Sequence, residues 1–306
     1  MSKKIMSLLL AALLVACLTC AMAESTSITV TDMYGREVTL DEPATRIVAL
    51  APSDCEILCA LGAGQELVGR GEYCDYPESI QALPVVQSGA DTNIEEILAL
   101  NPQVVLMSDM SQTKEQVNML EANGVKVVIS DANDIEGVYT AVGIIGALMG
   151  KDAEAEALIA DMQTTFADMA ANSENTGKTV YFEVSPLQWG LWTAGSNTFM
   201  NELAALCGLT NAFADIDGWA AISEEQVLAR DPDYIVTITM YYGEGPTPVE
   251  EIMSRTGWES LKAVQNGSIL NADSNSISRP GPRLKDAALE LYHFINAAEA
   301  EEVPAA

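Results

Sequence analysis

Short unbroken apolar runs recur along the chain, separated by stretches whose apolar positions return every three or four residues. The runs fall at residues 46–50, 104–107, 125–129, 179–184, 234–236 and 268–270, and most are rich in valine and isoleucine. Such runs read as buried strands, and the periodic stretches between them as amphipathic helices. Alternating strands and helices predict an α/β fold of parallel sheets with helices on both faces.

One pattern occurs twice. Residues 93–106 read NIEEILALNPQVVL, and residues 223–236 read SEEQVLARDPDYIV. Each opens on a helix-capping residue, carries Leu-Ala in register, and reaches a proline just before a strand-forming run. Asn93 with Glu96, and Ser223 with Gln226, have the spacing of a capping box. Proline ends the helix because the residue before it is pushed toward extended backbone. A helix, a stop and a strand at one spacing predict two lobes of related design. Between them, Asp152 is expected to cap a helical pattern that runs to about Asn172. A helix of about 20 residues reaches about 30 Å, enough to bridge two small lobes. The expected organisation is a leader at 1–23, lobes at 27–150 and 178–298, a linker helix within 151–177 and an acidic tail at 299–306.

Charge narrows the partners. The 306 residues hold 15 Lys+Arg against 44 Asp+Glu, a formal net charge of −29. Such a surface repels nucleic acid and anionic membrane, so no DNA or RNA partner is expected. The start of the chain reads as an export signal: Lys3 and Lys4, then the apolar stretch 5–15, which is short for a membrane span. Two processing sites compete, one after Ala23, which would leave the protein periplasmic, and one before Cys17, which would leave Cys17 lipidated on the outer face of the cytoplasmic membrane. Cleavage after Ala23 removes Lys3 and Lys4 and no acid, leaving −31. Beyond the leader stand Cys55, Cys59, Cys74 and Cys207, whose spacing matches no metal-binding pair and indicates no disulfide framework. Cys55 and Cys59 lie one helical turn apart and read as packing residues.

Catalytic constellations are missing from the pattern. There is no phosphate-binding Gly-x-x-x-x-Gly-Lys-Ser/Thr, and Gly62-Ala63-Gly64 lacks dinucleotide spacing. Ser196 is outside a Gly-x-Ser-x-Gly elbow, and its only conceivable imidazole base is His293, in a C-terminal helical segment. The expectation is a binding protein with no resident cofactor or metal, monomeric, and not an enzyme.

Several segments resemble a known family. Asp32, Gly35 and Arg36, then Arg46-Ile47-Val48, Pro52-Ser53 with Glu56, Leu61-Gly62-Ala63-Gly64 and Tyr73-Cys74-Asp75-Tyr76-Pro77 resemble the opening of the siderophore, haem and cobalamin binding proteins of ABC importers. The likeness runs from about residue 29 to about residue 295. The stretch from Trp219 to Arg230, and Arg279-Pro280-Gly281-Pro282-Arg283, are most similar to the cobalamin branch. That branch can carry a disulfide from the position of Cys207 to the last helix; here the partner position, near Tyr292, is not cysteine. The resemblance implies capture of a metal chelate, cobalamin first, and delivery to a dimeric membrane permease. It implies a cleft whose lobes move little, lined by Tyr73, Trp219 and a ligand-facing loop of Asn275, Ser276, Ile277, Ser278 and Arg279. Trp189, Trp192, Tyr241 and Tyr242 follow strands and fall near the same end.

The repeat adds a docking expectation. Glu95 and Glu225 sit one residue before the box position, free to point outward beside the positive helix end. The cobalamin branch resembles this chain at both glutamates, which suits a two-fold partner such as the paired permease subunits. An anionic iron–siderophore or haem is the competing ligand class. It usually needs several cleft arginines, and this chain has only Arg279 and Arg283 well placed. A surface adhesion or scaffold module is the competing function, though it leaves the matched glutamates unexplained.

Overall fold

The computed structural model describes residues 27–108 and 112–302. The leader, with its Cys17 and Ala23 alternatives, lies outside the described residues, as do residues 303–306. The chain enters through a two-stranded ribbon, β1 (Ile28–Thr31) and β2 (Glu37–Leu40). Five parallel strands follow, in the spatial order β5-β4-β3-β6-β7. They are β3 (Ile47–Ala49), β4 (Leu67–Gly71), β5 (Val85–Val86), β6 (Val104–Met107) and β7 (Lys126–Ile129). The connecting helices are α1 (Pro52–Ala60), α2 (Ile94–Ala99) and α3 (Lys114–Ala122). Then α4 (Ile135–Met149) leads into α5 (Asp152–Asn172), the expected linker helix.

The second sheet is built around β8 (Thr179–Ser185), β12 (Tyr234–Thr237) and β13 (Ile269–Asn271), all parallel. Its other edge departs from the expected parallel pattern. Gly190, at φ +87°, helps the chain double back, so β9 (Trp192–Ala194) pairs antiparallel with β8. Next, β11 (Trp219–Ala221) pairs antiparallel with β9, while β10 (Thr210–Asn211) is parallel to β8. Helices α6 (Phe199–Leu206), α7 (Glu224–Arg230), α8 (Pro248–Met253), α9 (Lys262–Gln265), α10 (Ser274–Ser278) and α11 (Leu284–Glu302) complete the chain. The last helix runs through residues 299–302, into the segment expected to be a tail.

The repeat is visible in the backbone. From position 94 to 100 and from 224 to 230 the sequence of exposed, half-buried and buried residues is the same, with Ile97 and Val227 as the buried anchors. Both copies leave the helix through a non-glycine residue in the left-handed region, Asn101 at φ +48° and Asp231 at φ +45°. Asn and Asp tolerate that region best among residues with a Cβ. Strands β6 and β12 then take equivalent places in their sheets, each second from one edge. The Ser223–Gln226 capping box closes in both directions, whereas Asn93 only accepts from the Glu96 N–H. Asp152 does not cap: it is the first residue of α5, and Lys151 holds the cap position without a side-chain bond.

Alternation along the strands divides the core. Val48, Val105 and Val127 face an outer cluster, while Ile47, Ala49, Val104, Leu106 and Val128 face the largest one. In the second sheet Tyr181 and Ile235 face an outer cluster, while Val180, Phe182, Tyr234 and Val236 face that same largest cluster. Met162, Phe166 and Met169 of α5 belong to it too. One apolar core therefore runs from sheet to sheet through the linker helix.

The second lobe also holds a buried ion pair. Arg255 donates to both Glu183 oxygens at 2.6 and 3.0 Å, reaches Glu251 and lies 4.4 Å from the Trp258 ring centroid. The Arg255 and Glu183 side chains are 2% and 1% exposed, so neither can fall back on water. Removing one partner leaves the other charge buried and unpaired. Arg255→Met should therefore cost about 3–5 kcal/mol in urea unfolding. A loss within 1 kcal/mol would show that Glu183 is relieved in another way.

Candidate functional site

In a parallel sheet, loops at the carboxyl ends of the strands are free to build a site. After β4 the chain forms the 72–81 loop, held from beneath by buried Arg70. Its guanidinium donates to the carbonyls of Cys74 at 2.8 Å and Gln81 at 3.1 Å, and the Gln81 amide donates to the Asp75 carbonyl at 2.8 Å. The loop contains a cis Tyr76–Pro77 bond. These ties place Tyr73 at the tip, 70% exposed, with Tyr76 and Asp75 beside it.

Glu56 is the anchor of the site. It lies on α1 with its side chain 2% exposed and receives Arg283 twice, at 2.9 and 2.7 Å, and Arg279 at 3.1 Å. Arg279 also donates to Asp75 at 2.6 Å and to the Tyr73 carbonyl at 3.3 Å. The Arg283 guanidinium carbon lies over the Tyr76 ring, 4.1 Å from its centroid. Although Asp75 loses some hydration, the Arg279 guanidinium holds its carboxyl below the usual range. The Glu56 hydrogen bond raises Arg283 further, so both groups stay ionised across ordinary pH. Two segments that sequence reading treated as separate motifs, Pro52-Ser53 with Glu56 and Arg279 with Arg283, thus form one junction between the two halves. A signal for it did exist: a chain poor in cations placed two arginines four residues apart.

The 274–278 segment corrects the expected loop. It is the short helix α10, and Asp273 caps it through the Ser276 N–H at 2.7 Å. Ile277 is fully buried in the central core, and Ser276 is nearly so, because one face of a helix must pack. Ile277 therefore does not line a ligand surface. Asn275, Ser278 and Arg279 remain half-exposed. An open surface depression of about 360 Å³ beside the junction is lined by Tyr76, Asp273, Ser276, Arg283, Asp286 and Glu290. That is at the small end of the roughly 300–1,000 Å³ typical of drug-sized ligands.

On the second lobe, Trp192 pairs with Ala221 and Trp219 with Ala194. Directly paired residues, and residues two apart, share a sheet face, so Trp192 and Trp219 project on the same side. They are 43% and 37% exposed, and Trp219 also leans on Phe199 at 5.4 Å between ring centroids. Trp189, at 77%, stands after β8, and Tyr241 and Tyr242, at 44% and 84%, stand after β12. All four are exposed aromatics at strand ends, as Trp219 is. Glu95 and Glu225 are both exposed, each the second residue of its helix. The Ser223 hydroxyl and its own N–H hold Glu225 below the usual carboxylate range. Ser196 has another use for its hydroxyl, which donates to the Ile216 carbonyl at 2.9 Å. His293 is exposed on α11.

Asp54 was not anticipated. It lies on α1 two residues before Glu56 and is fully buried, and neither carboxylate oxygen has a partner at good hydrogen-bond geometry, Ser130 being the nearby hydroxyl. Burial raises its pKa from 3.8 to about 7, with Ser130 pulling down and the Asp131 charge pushing up. The folded chain thus holds this proton more tightly than the unfolded chain. Its stabilising effect is complete below about pH 3.8 and is lost as pH rises through about 7. Asp54→Asn should remove this slope, gaining on the order of 2–4 kcal/mol over wild type between pH 5 and 8. Parallel urea curves for both proteins at the two pH values would exclude a protonated Asp54.

Comparison with known proteins gives a consistent picture. The family model described as periplasmic binding protein matches residues 47–275. An uncharacterized ABC transporter substrate-binding lipoprotein of Bacillus subtilis, YvrC, is 31% identical over 88% of this chain and 85% of its own. A vitamin B12-binding protein of Salmonella choleraesuis is 31% identical over 83% of this chain and 91% of its own. A solved structure described as a possible iron-binding periplasmic protein of Staphylococcus epidermidis is 28% identical. It superposes with a TM-score of 0.69 over 83% of this chain and 99% of the other.

Proposed function

Because the chain belongs to the periplasmic binding protein family, we propose that it is the extracytoplasmic substrate-binding component of an ABC importer for a flat, nearly uncharged metal chelate, cobalamin first. The observation that carries the ligand class is the junction: Arg279 and Arg283 are already matched by Glu56 and Asp75. An anionic siderophore or haem carboxylate finds no spare guanidinium there, whereas a corrinoid offers a broad apolar face and an amide rim. Exposed Tyr73, Trp192 and Trp219, with Trp189, Tyr241 and Tyr242, suit that face. The vitamin B12-binding relative supports the same reading. An iron chelate is the second reading, favoured by the likeness to the Staphylococcus epidermidis protein. The lipoprotein relative supports a tether at Cys17, and no catalytic step is part of the activity.

Purified protein titrated with cyanocobalamin, hemin and a ferric hydroxamate, followed by absorbance, should bind the first most tightly. Preference for either iron chelate would replace the corrinoid reading. Tyr73→Ala should weaken cyanocobalamin several-fold with little change in melting temperature, since one aromatic contact is worth about 0.5–1.5 kcal/mol beyond its area. Trp219→Ala should weaken it at least as much and also lose some stability, because Trp219 packs on Phe199. Normal binding by both variants would move the site elsewhere.

In delivery, Glu95 and Glu225 are the proposed contacts to two equivalent permease subunits. Within each lobe a helix that precedes a parallel strand starts at the strand's carboxyl end. Each glutamate therefore stands at the same end of its sheet as the ligand loops. Glu95→Ala with Glu225→Ala should abolish transport in reconstituted vesicles while chelate affinity and melting temperature stay near wild type. Undiminished uptake by the double variant would leave the repeat a purely architectural feature.

A further inference from the structure

Among the four cysteines of the described residues, two converge. The Cys55 sulfur on α1 and the Cys74 sulfur in the 72–81 loop each lie 3.8 Å from the Ala49 carbonyl oxygen, at the end of β3. Cys74 is also 3.7 Å from the Leu50 carbonyl. Both side chains are completely buried. The other two point elsewhere: Cys59 faces the Gly64 turn, and Cys207 faces the Ala288 carbonyl on the last helix at 4.0 Å. The Cys74 thiol beside it, together with burial, pushes the Cys55 thiol well above its ordinary pKa.

We propose that Cys55 and Cys74 are a disulfide-forming pair that staples the Tyr73 loop to helix α1. The bond would close a loop of about 20 residues across the site's first-lobe wall, between Asp54 and Glu56 on one side and Tyr73 and Asp75 on the other. The chemistry is exchange with a small-molecule disulfide. One cysteine thiolate attacks the oxidant, forming a mixed disulfide and expelling one thiolate. The second cysteine then attacks the protein sulfur of that mixed disulfide and expels the other. The two protein S–H protons end on the two released thiols, and one disulfide is gained for one lost. An extracytoplasmic compartment permits such a bond, and a reducing one does not. The inference does not depend on which chelate the cleft takes.

Because both sulfurs are completely buried once the chain has folded, exchange is slow in the native state and belongs to folding. The test is to unfold the full chain in urea, refold it in a mixture of reduced and oxidised glutathione, block free thiols and digest with trypsin. Cleavage after Arg70 separates the peptide carrying Cys55 and Cys59 from the one carrying Cys74. The expected result is a disulfide-linked pair of these peptides that persists in Cys59→Ser and disappears in Cys55→Ser and in Cys74→Ser. The linked protein should melt roughly 5–10 °C higher, reversibly on reduction. Full alkylation of Cys55 and Cys74 after oxidative refolding would overturn the proposal. So would a link that persists in Cys55→Ser.

Discussion

The Glu56 carboxylate is the group on which the candidate site depends. It is buried on the first helix and accepts three hydrogen bonds from two arginines of the last quarter of the chain. A carboxylate in that position is tolerable only because charge-assisted, partly bidentate bonds replace its lost hydration. The same bonds fix where Arg279 and Arg283 lie. Those arginines in turn hold the Tyr73 carbonyl, Asp75 and the Tyr76 ring. The loop that offers Tyr73 to solvent is thereby tied to the second half of the chain as well as to the sheet beneath it. Arg70 supplies the tie from below.

The central core gives this junction a stiff frame. Residues from both sheets, from α5 and from α11 belong to one continuous apolar cluster. A further seam joins the halves where Phe199 donates its N–H to the Asn133 carbonyl at 2.7 Å and Glu202 accepts from the Ile135 N–H at 2.6 Å. Separating the halves would expose shared apolar surface and break buried ionic bonds together. Hinges that swing widely usually rely on a few loop residues with little packing across them. This arrangement lacks that looseness, which suits a bulky, semi-rigid ligand that a preformed cleft can receive without refolding around it.

The parts of the structure that sequence revealed are those set by local rules. Valine-rich runs became strands within a residue or two, because a strand covered on both faces must be apolar throughout. The duplicated helix-stop-strand pattern was legible because capping, proline and burial act within a dozen residues. What was not legible depended on long-range meetings. Glu56 and Arg283 are 227 positions apart, and nothing local says that one neutralises the other. The antiparallel β9–β11 edge was missed because three-residue strands have too few positions to show a period. Ile277 was placed with the ligand groups because resemblance works segment by segment, whereas helical geometry buries one side of the segment and exposes the other.

The repeat also bears on the proposed docking contacts, because acidic groups at these positions do not harm the fold. In both copies the glutamate at the second helical position is exposed, while the residue two positions later is the buried anchor. An acid at a helix start is favoured by the peptide dipoles and the free N–H groups, so it adds to helix stability instead of straining it. Its carboxylate, needed by no other side chain for the core to form, can be spent on a partner. A net charge of −29 can hasten approach to a basic surface, but diffuse charge does not define an orientation. Two carboxylates held by the same capped helix in each lobe do define one. A duplicated fold provides that pair at once, because the rule that places one glutamate places the other.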